Sequence, residues 1–353
     1  MGCRVLVLEP GERGPDLAGG RPQHPPQRGQ SPGPLDSVRV KLGCAVEAGR
    51  SLPEALERVR AAERLGYESV WSSQLPGSRD TALVLAAYAQ ATERVRLGTA
   101  VLPIYTRHPT AMAQMALTLD ELSGGRFILG LGVSHQVTVE GMWGLRLENP
   151  VAAMREYLQI LRASFSEGSA DQGGEHFSAH WSYSAPRNAQ LPIYVAALGE
   201  RMLRLAGELA DGVSLWMCPP AYVRDQVVPQ VRAGRERAGK PLEGFEIMAA
   251  VPVCLAADPP KARDAFRETV KRYAGLPFYR KVLDASGYAE ELARGEVGDG
   301  MVDDLAGIGD AAAVRDAVAR YREAGVTLPA LGPLPKSAGA VGFEETLEVA
   351  IAA

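Results

Sequence analysis

His135 ends the run Gly130-Leu131-Gly132-Val133-Ser134-His135. The glycines let the backbone pass close to a ligand, and the imidazole that follows titrates near neutrality, as acid–base chemistry requires. Taken alone, the Gly-x-Gly also suits tight strand–helix packing, and a loop histidine is commonly a hydrogen-bonded surface group. Ser73 and Gln74 stand in Trp71-Ser72-Ser73-Gln74-Leu75-Pro76. Gln74 can hydrogen-bond a ring or hold a water, but it cannot itself transfer a proton. Leu198, Gly199, Glu200 and Arg201 read as the opening of a helix. Free N–H groups and the helix dipole make such an opening a phosphate site, and Arg201 adds positive charge; the bland alternative is a glycine turn.

These segments all follow short apolar runs. Strands are predicted at Val38–Val46, Ser69–Ser72, Val95–Leu102, Phe127–Leu131, Pro192–Ala196, Gly212–Trp216, Phe245–Leu255 and Val326–Leu331. Amphipathic helices are predicted between them at Pro53–Leu65, Thr81–Ala91, Pro109–Leu122, Val151–Phe165, Arg201–Ala210, Ala221–Ala238 and Ala311–Ala324. Ser51 and Asp80 are N-cap residues, and Gly66 and Gly325 close their helices. Residues 166–190 lack periodicity, and 259–297 look helical but broken. Regular strand–helix alternation implies parallel strands with helical crossovers, and eight units close a (β/α)8 TIM barrel with insertions. An open doubly wound sheet would want a Gly-rich turn after strand one, where the chain has Ala45-Val46-Glu47-Ala48-Gly49. In a barrel the reactive groups gather at the C-terminal strand ends, where the segments above fall.

Composition limits the alternatives. The net charge of −4, from 38 basic and 42 acidic residues, argues against a nucleic-acid or membrane-surface partner. The four cysteines (Cys3, Cys44, Cys218 and Cys254) are too far apart for a disulfide scaffold or a zinc knuckle. No metal site, no membrane span and no export signal are expected, which points to the cytoplasm. Residues 1–37, crowded with Pro and Gly, are expected to be a disordered tail, with 38–353 forming the barrel; Val38 is an alternative start.

In sequence order, Arg94-Val95-Arg96-Leu97-Gly98-Thr99, Tyr105-Thr106-Arg107-His108-Pro109, Leu122-Ser123-Gly124-Gly125-Arg126, Leu129-Gly130-Leu131-Gly132 and Leu205 to Val213 form a set. So do Gly309-Asp310 and Glu323-Ala324-Gly325-Val326. Together they resemble the luciferase-like superfamily, especially its coenzyme F420-dependent branch, from about residue 40 to 332. The resemblance implies a deazaflavin at the barrel mouth, held by Ser73, Thr99, Ala100, Val101, Pro103, Gly132, Val133, Ser134, Leu198, Gly199, Glu200 and Arg201. It implies a cis peptide between Ala100 and Val101, where a small residue suits close approach of a flat ring. It also implies a homodimer. His135 matches an acid/base position, with Gln74 as a second catalytic candidate. One departure stands out: the sugar-phosphate branch has an acid followed by histidine after strand two, and this chain offers Gln74 and Leu75 there. Trp143, Trp181, Tyr183 and Trp216 are candidate pocket walls.

The leading expectation is an F420H2-dependent oxidoreductase moving hydride to or from a small imine, C=C or C=O substrate. The alternatives are an FMN-dependent monooxygenase fed by a separate reductase and a non-catalytic ligand-binding barrel.

Overall fold

The computed structural model describes residues 41–352. The expected 1–37 tail and the first residues of the expected first strand lie outside them. Eight parallel strands form a closed ring: β1 (Gly43–Ala45), β2 (Ser69–Ser72), β3 (Arg96–Thr99), β4 (Phe127–Gly132), β5 (Ile193–Ala196), β6 (Gly212–Leu215), β7 (Glu246–Leu255) and β8 (Leu328–Pro333). Each pairs with the next, and β8 returns to β1 through Gly43↔Ala330 and Cys44↔Leu331. The outer helices are α1 (Leu52–Arg64), α2 (Thr81–Ala91), α3 (Pro109–Leu122), α4 (Pro150–Ser166), α5 (Glu200–Leu209), α6 (Val228–Arg237), α7 (Ala311–Glu323) and α8 (Phe343–Ile351). The Ser51 and Asp80 side chains cap α1 and α2 as their types predict.

Three departures from the expected elements stand out. Strand three breaks after Thr99 and resumes as Leu102–Pro103, with the Ala100–Val101 peptide cis between them. Residues 166–190, without one-face periodicity, hold an antiparallel hairpin of Ser169–Gln172 and Ala179–Ser182. Both strands are short and half solvated, so neither carries a clean apolar stripe. The helix expected at Ala221–Ala238 begins at Pro220 and passes through π-type turns at Val223–Val227 before α6.

The barrel axis is filled by one large ring. Trp71 on β2 is 1% exposed, lies 5.5 Å from the Tyr194 ring, and donates its indole N–H to Ser69 Oγ at 2.9 Å. Burying an indole of this size stabilises the fold by about 4–6 kcal/mol. Its neighbours on β1 and β3 are Gly43 and Gly98. A Cβ on Gly43 would lie 2.9 Å from Trp71 Nε1, and one on Gly98 would enter the six-membered ring itself. Below this layer, Lys41, Glu68, Arg96 and Glu246 form ion pairs at the N-terminal end of the strands.

Several of the words that carry the family resemblance do structural work. Arg126 donates to the carbonyls of Ser123 (2.7 Å), Val95 (2.8 Å), Thr92 (3.0 Å) and Ala89 (3.1 Å), and to Thr92 Oγ1 (3.0 Å). It thereby ties the end of α2 to the starts of β3 and β4. Arg126→Met strands these acceptors, and urea unfolding should show a loss of about 2–4 kcal/mol. Glu208 grips Arg155 of α4 through two bonds of 2.6 and 2.8 Å. Asp211 accepts from Arg162 of α4 at 2.5 Å and from the Ile193 N–H at 2.8 Å.

Candidate active site at the barrel mouth

The C-terminal end of the barrel is floored by small side chains. Ala45, Ala100, Ala196 and Ala250 stand on β1, the exit of β3, β5 and β7, one inward position above Gly43, Gly98, Tyr194 and Met248. Inward positions alternate along a strand, so the odd-numbered strands contribute one layer of four. All four alanines are half-buried, whereas Tyr194, Met248 and Trp71 beneath them are closed to solvent. The floor is therefore flat, apolar and open upward.

The rim groups sort by their partners. Gly132 lies against the Val101 side chain, where a Cβ would approach Val101 Cγ2 to 2.5 Å, and Pro103 pairs with Gly132 across the ladder. Ser134 has a φ of +59°, which turns the chain sharply after β4 and leaves Val133, Ser134 and His135 half-buried on the rim. Thr99 is fully buried. Its hydroxyl donates to the Gly130 carbonyl at 2.7 Å and accepts from the Gly130 N–H at 2.8 Å, so it splices β3 to β4 beneath the mouth. Leu198 and Gly199 open α5, which has no side-chain cap, and the space where a Gly199 Cβ would stand is empty out to 4 Å. Arg201 is exposed there, and Glu200 pairs with Arg204 at 2.7 Å. Gln74 is committed elsewhere: its Oε1 accepts the Thr81 N–H at 2.9 Å and its Nε2 reaches the Arg79 carbonyl at 3.4 Å, fixing the approach to α2.

Of the four candidate wall aromatics, Trp216 reaches the mouth. Trp181 and Tyr183 lie on the hairpin, 5.9 Å apart, and Trp181 packs with Ile160 and Ala163 of α4, away from the strand ends. Trp143 follows the short turn of helix Gln136–Val139.

An aromatic arch made largely by residues the sequence did not single out stands at the mouth. The segment between β7 and α7 supplies Tyr273, from helix Pro259–Ala274, and Tyr279, from helix Pro277–Leu283. Ring centroids run Trp216–Tyr273 at 5.6 Å, Tyr273–Tyr279 at 5.0 Å and Tyr279–His135 at 5.5 Å. His135 Nδ1 is buried and has no hydrogen-bond partner among the described residues. Burial holds this imidazole below its ordinary range, so it is neutral at physiological pH. No strand register or spacing places Tyr273 and Tyr279, because they come from an irregular insertion. Glu47 was also missed. It lies just past β1, two residues after Ala45, and its carboxylate accepts the Ser73 N–H at 3.0 and 3.1 Å. An acid at the C-terminal end of a barrel strand was the signal that could have found it.

A planar tricyclic ring with an anionic tail fits these features. The alanine layer offers a bed without protruding side chains, and the uncapped α5 with Arg201 suits phosphate. The model of the luciferase-like monooxygenase family matches residues 37–328. A Mycobacterium tuberculosis protein named as a coenzyme F420-dependent oxidoreductase is 33% identical over 313 residues, 77% of this chain and 88% of that one. The 5,10-methylenetetrahydromethanopterin reductase of Methanolobus tindarius is 31% identical over 69% of this chain and 78% of its own. The solved F420-dependent tetrahydromethanopterin reductase of Methanopyrus kandleri superposes with a TM-score of 0.75 at 26% identity, covering 89% of this chain and 98% of that one.

Proposed function

Since the chain belongs to the luciferase-like monooxygenase family and is an oxidoreductase, we propose that it uses coenzyme F420 to move a hydride to or from a small imine, C=C or C=O substrate. The observation that carries this reading is the layer of four half-buried alanines at the strand ends, a flat apolar bed for a ring, with a run of aromatic side chains at the same mouth. Relatives named for F420 stand at 33% and 26% identity; the monooxygenase of Streptomyces bottropensis, at 23% and a TM-score of 0.68, speaks for the fold.

Bound there, the cofactor supplies the hydride and the protein supplies position. Ala45, Ala100, Ala196 and Ala250 support the ring, while Val101, Gly132, Val133 and Ser134 line its edge. Leu198 to Arg201 hold the phosphate side. The Trp216–Tyr273–Tyr279 rings offer apolar surface beside a substrate at this mouth. We include in this reading a homodimer in the cytoplasm and a separate reductase that regenerates the reduced cofactor. In α2, Ala82, Val84, Leu85, Tyr88 and Ala89 are buried within the chain, and Leu83 faces outward.

Fluorescence titration tests the cofactor directly. Oxidised F420 should be quenched on binding, and FMN should not; binding of reduced FMN without F420 would overturn the choice. Arg201→Glu should weaken F420 about tenfold, roughly 1.4 kcal/mol, with a shallower salt dependence than the parent.

A further inference from the structure

The end of β2 has no acid of its own, yet the fold brings one there. Glu47 extends from β1 across the strand gap, and both its oxygens take the Ser73 N–H, at 3.0 and 3.1 Å, while Ser72 Oγ lies 3.4 Å from Oε2. Its side chain follows Ala45 at the next inward position, so it stands on the rim directly above the floor. It makes no ion pair with any described residue. Burial raises the Tyr273 phenol above its ordinary range, and the nearby Glu47 charge adds a smaller push in the same direction.

The other groups facing it are accounted for. Tyr88 of α2 donates to the Val46 carbonyl, Arg58 of α1 pairs with Glu54 at 2.5 Å, and Arg79 is held by the carbonyls of Gly49 and Arg50. Burial raises the Glu47 carboxyl above its ordinary range, against the opposing pull of the serine hydrogen bonds. Burial lowers His135 at the same mouth. Burial thus pushes the two groups in opposite senses, the carboxyl toward holding its proton and the imidazole toward losing it, and the geometry puts the carboxyl on the rim above the floor.

Resting on the oxidoreductase reading above, we propose that Glu47 is the proton donor, delivering the proton that balances hydride addition to a C=O or C=N substrate. As a C–H bond forms at the substrate carbon with the hydride from reduced deazaflavin, the π pair moves to the oxygen or nitrogen. The Glu47 O–H bond breaks and a heteroatom–H bond forms. The carboxylate left behind is held by the Ser73 N–H and regains its proton from solvent. In the opposite direction Glu47 accepts the proton.

The test has two arms. The first needs neither cofactor nor substrate: infrared difference spectra of the parent against Glu47→Gln, followed with pH, should show a protonated-carboxyl band that persists above the ordinary carboxylate range. A Glu47 already fully ionised at pH 5 would overturn the proposal. In the second arm, F420 affinity measured by fluorescence should stay within about threefold in Glu47→Gln, while kcat on any ketone or imine the parent reduces falls by roughly 10²–10⁴ with little change in KM. Glu47→Asp should recover part of the rate. Because the acid form is the active one, kcat for reduction should hold at low pH and fall as pH rises through the raised pKa; in Glu47→Gln that step should vanish. An unchanged kcat, or an unchanged pH profile, sinks the assignment while leaving the F420 reading intact. A parent that binds no F420 sinks that reading and not the infrared result.

Discussion

Replacing Ala196 by Phe should abolish F420 binding, with a loss of at least about 100-fold in affinity, or roughly 2.7 kcal/mol. Ala196 stands at the end of β5, half-buried, in the layer of four that floors the mouth. Its side chain is near enough to β4 that a Cβ on Gly132 would lie 3.4 Å from it. Nothing beneath can yield, since Tyr194 and Trp71 are closed to solvent and in contact. A phenyl ring there has only the upward direction, into the space assigned to the cofactor. Because the position is open above, the fold itself should tolerate the change, and the melting temperature should move by no more than a few degrees. Titration of F420 fluorescence together with a thermal melt decides the matter. Retention of parental affinity would show that the ring does not rest on this floor.

Stability should respond far more to the layer below. In Gly98→Ala the new methyl enters the Trp71 ring, which is 1% exposed and cannot swing aside. Overpacking of this kind costs about 3 kcal/mol, or roughly 6–10 °C in melting temperature. Trp71→Ala should cost about 3–5 kcal/mol for the opposite reason, the cavity left on the axis. Combining Gly98→Ala with Trp71→Leu should be milder than the sum of the two single changes, because the smaller side chain makes room for the methyl. Additive losses would mean that the glycine is required by something other than the indole.

These two layers show what the sequence could and could not disclose. Strand–helix alternation gave the barrel, since each strand is apolar and each helix is capped by residues whose chemistry is local, such as Asp80 and Ser51. The barrel rule then pointed to the strand ends, and the resemblance picked out Ala100, Val101, Gly132, Ser134 and the start of α5 among them. The resemblance implied the cis bond at Ala100–Val101, and the bond is there. Contacts between distant segments were not legible. Nothing local to Gln74 reveals that its amide is taken by Thr81 and Arg79. Nothing in Ala45 to Gly49 reveals that Glu47 crosses to Ser73. Tyr273 and Tyr279 sit in an insertion whose helices follow no barrel period, so their position over the mouth emerges only in three dimensions. The same holds for Trp181, which has the composition of a pocket wall and the location of a brace on α4.

The indole at the centre of the cylinder has a kinetic consequence. With Trp71 plugging the axis, no ligand can pass through the barrel, and a molecule bound on the alanine floor enters and leaves by the mouth. Whatever lies deepest must arrive first and depart last. Turnover should therefore follow a compulsory order, with the redox partner loading ahead of the substrate and the product leaving before the spent partner can be exchanged.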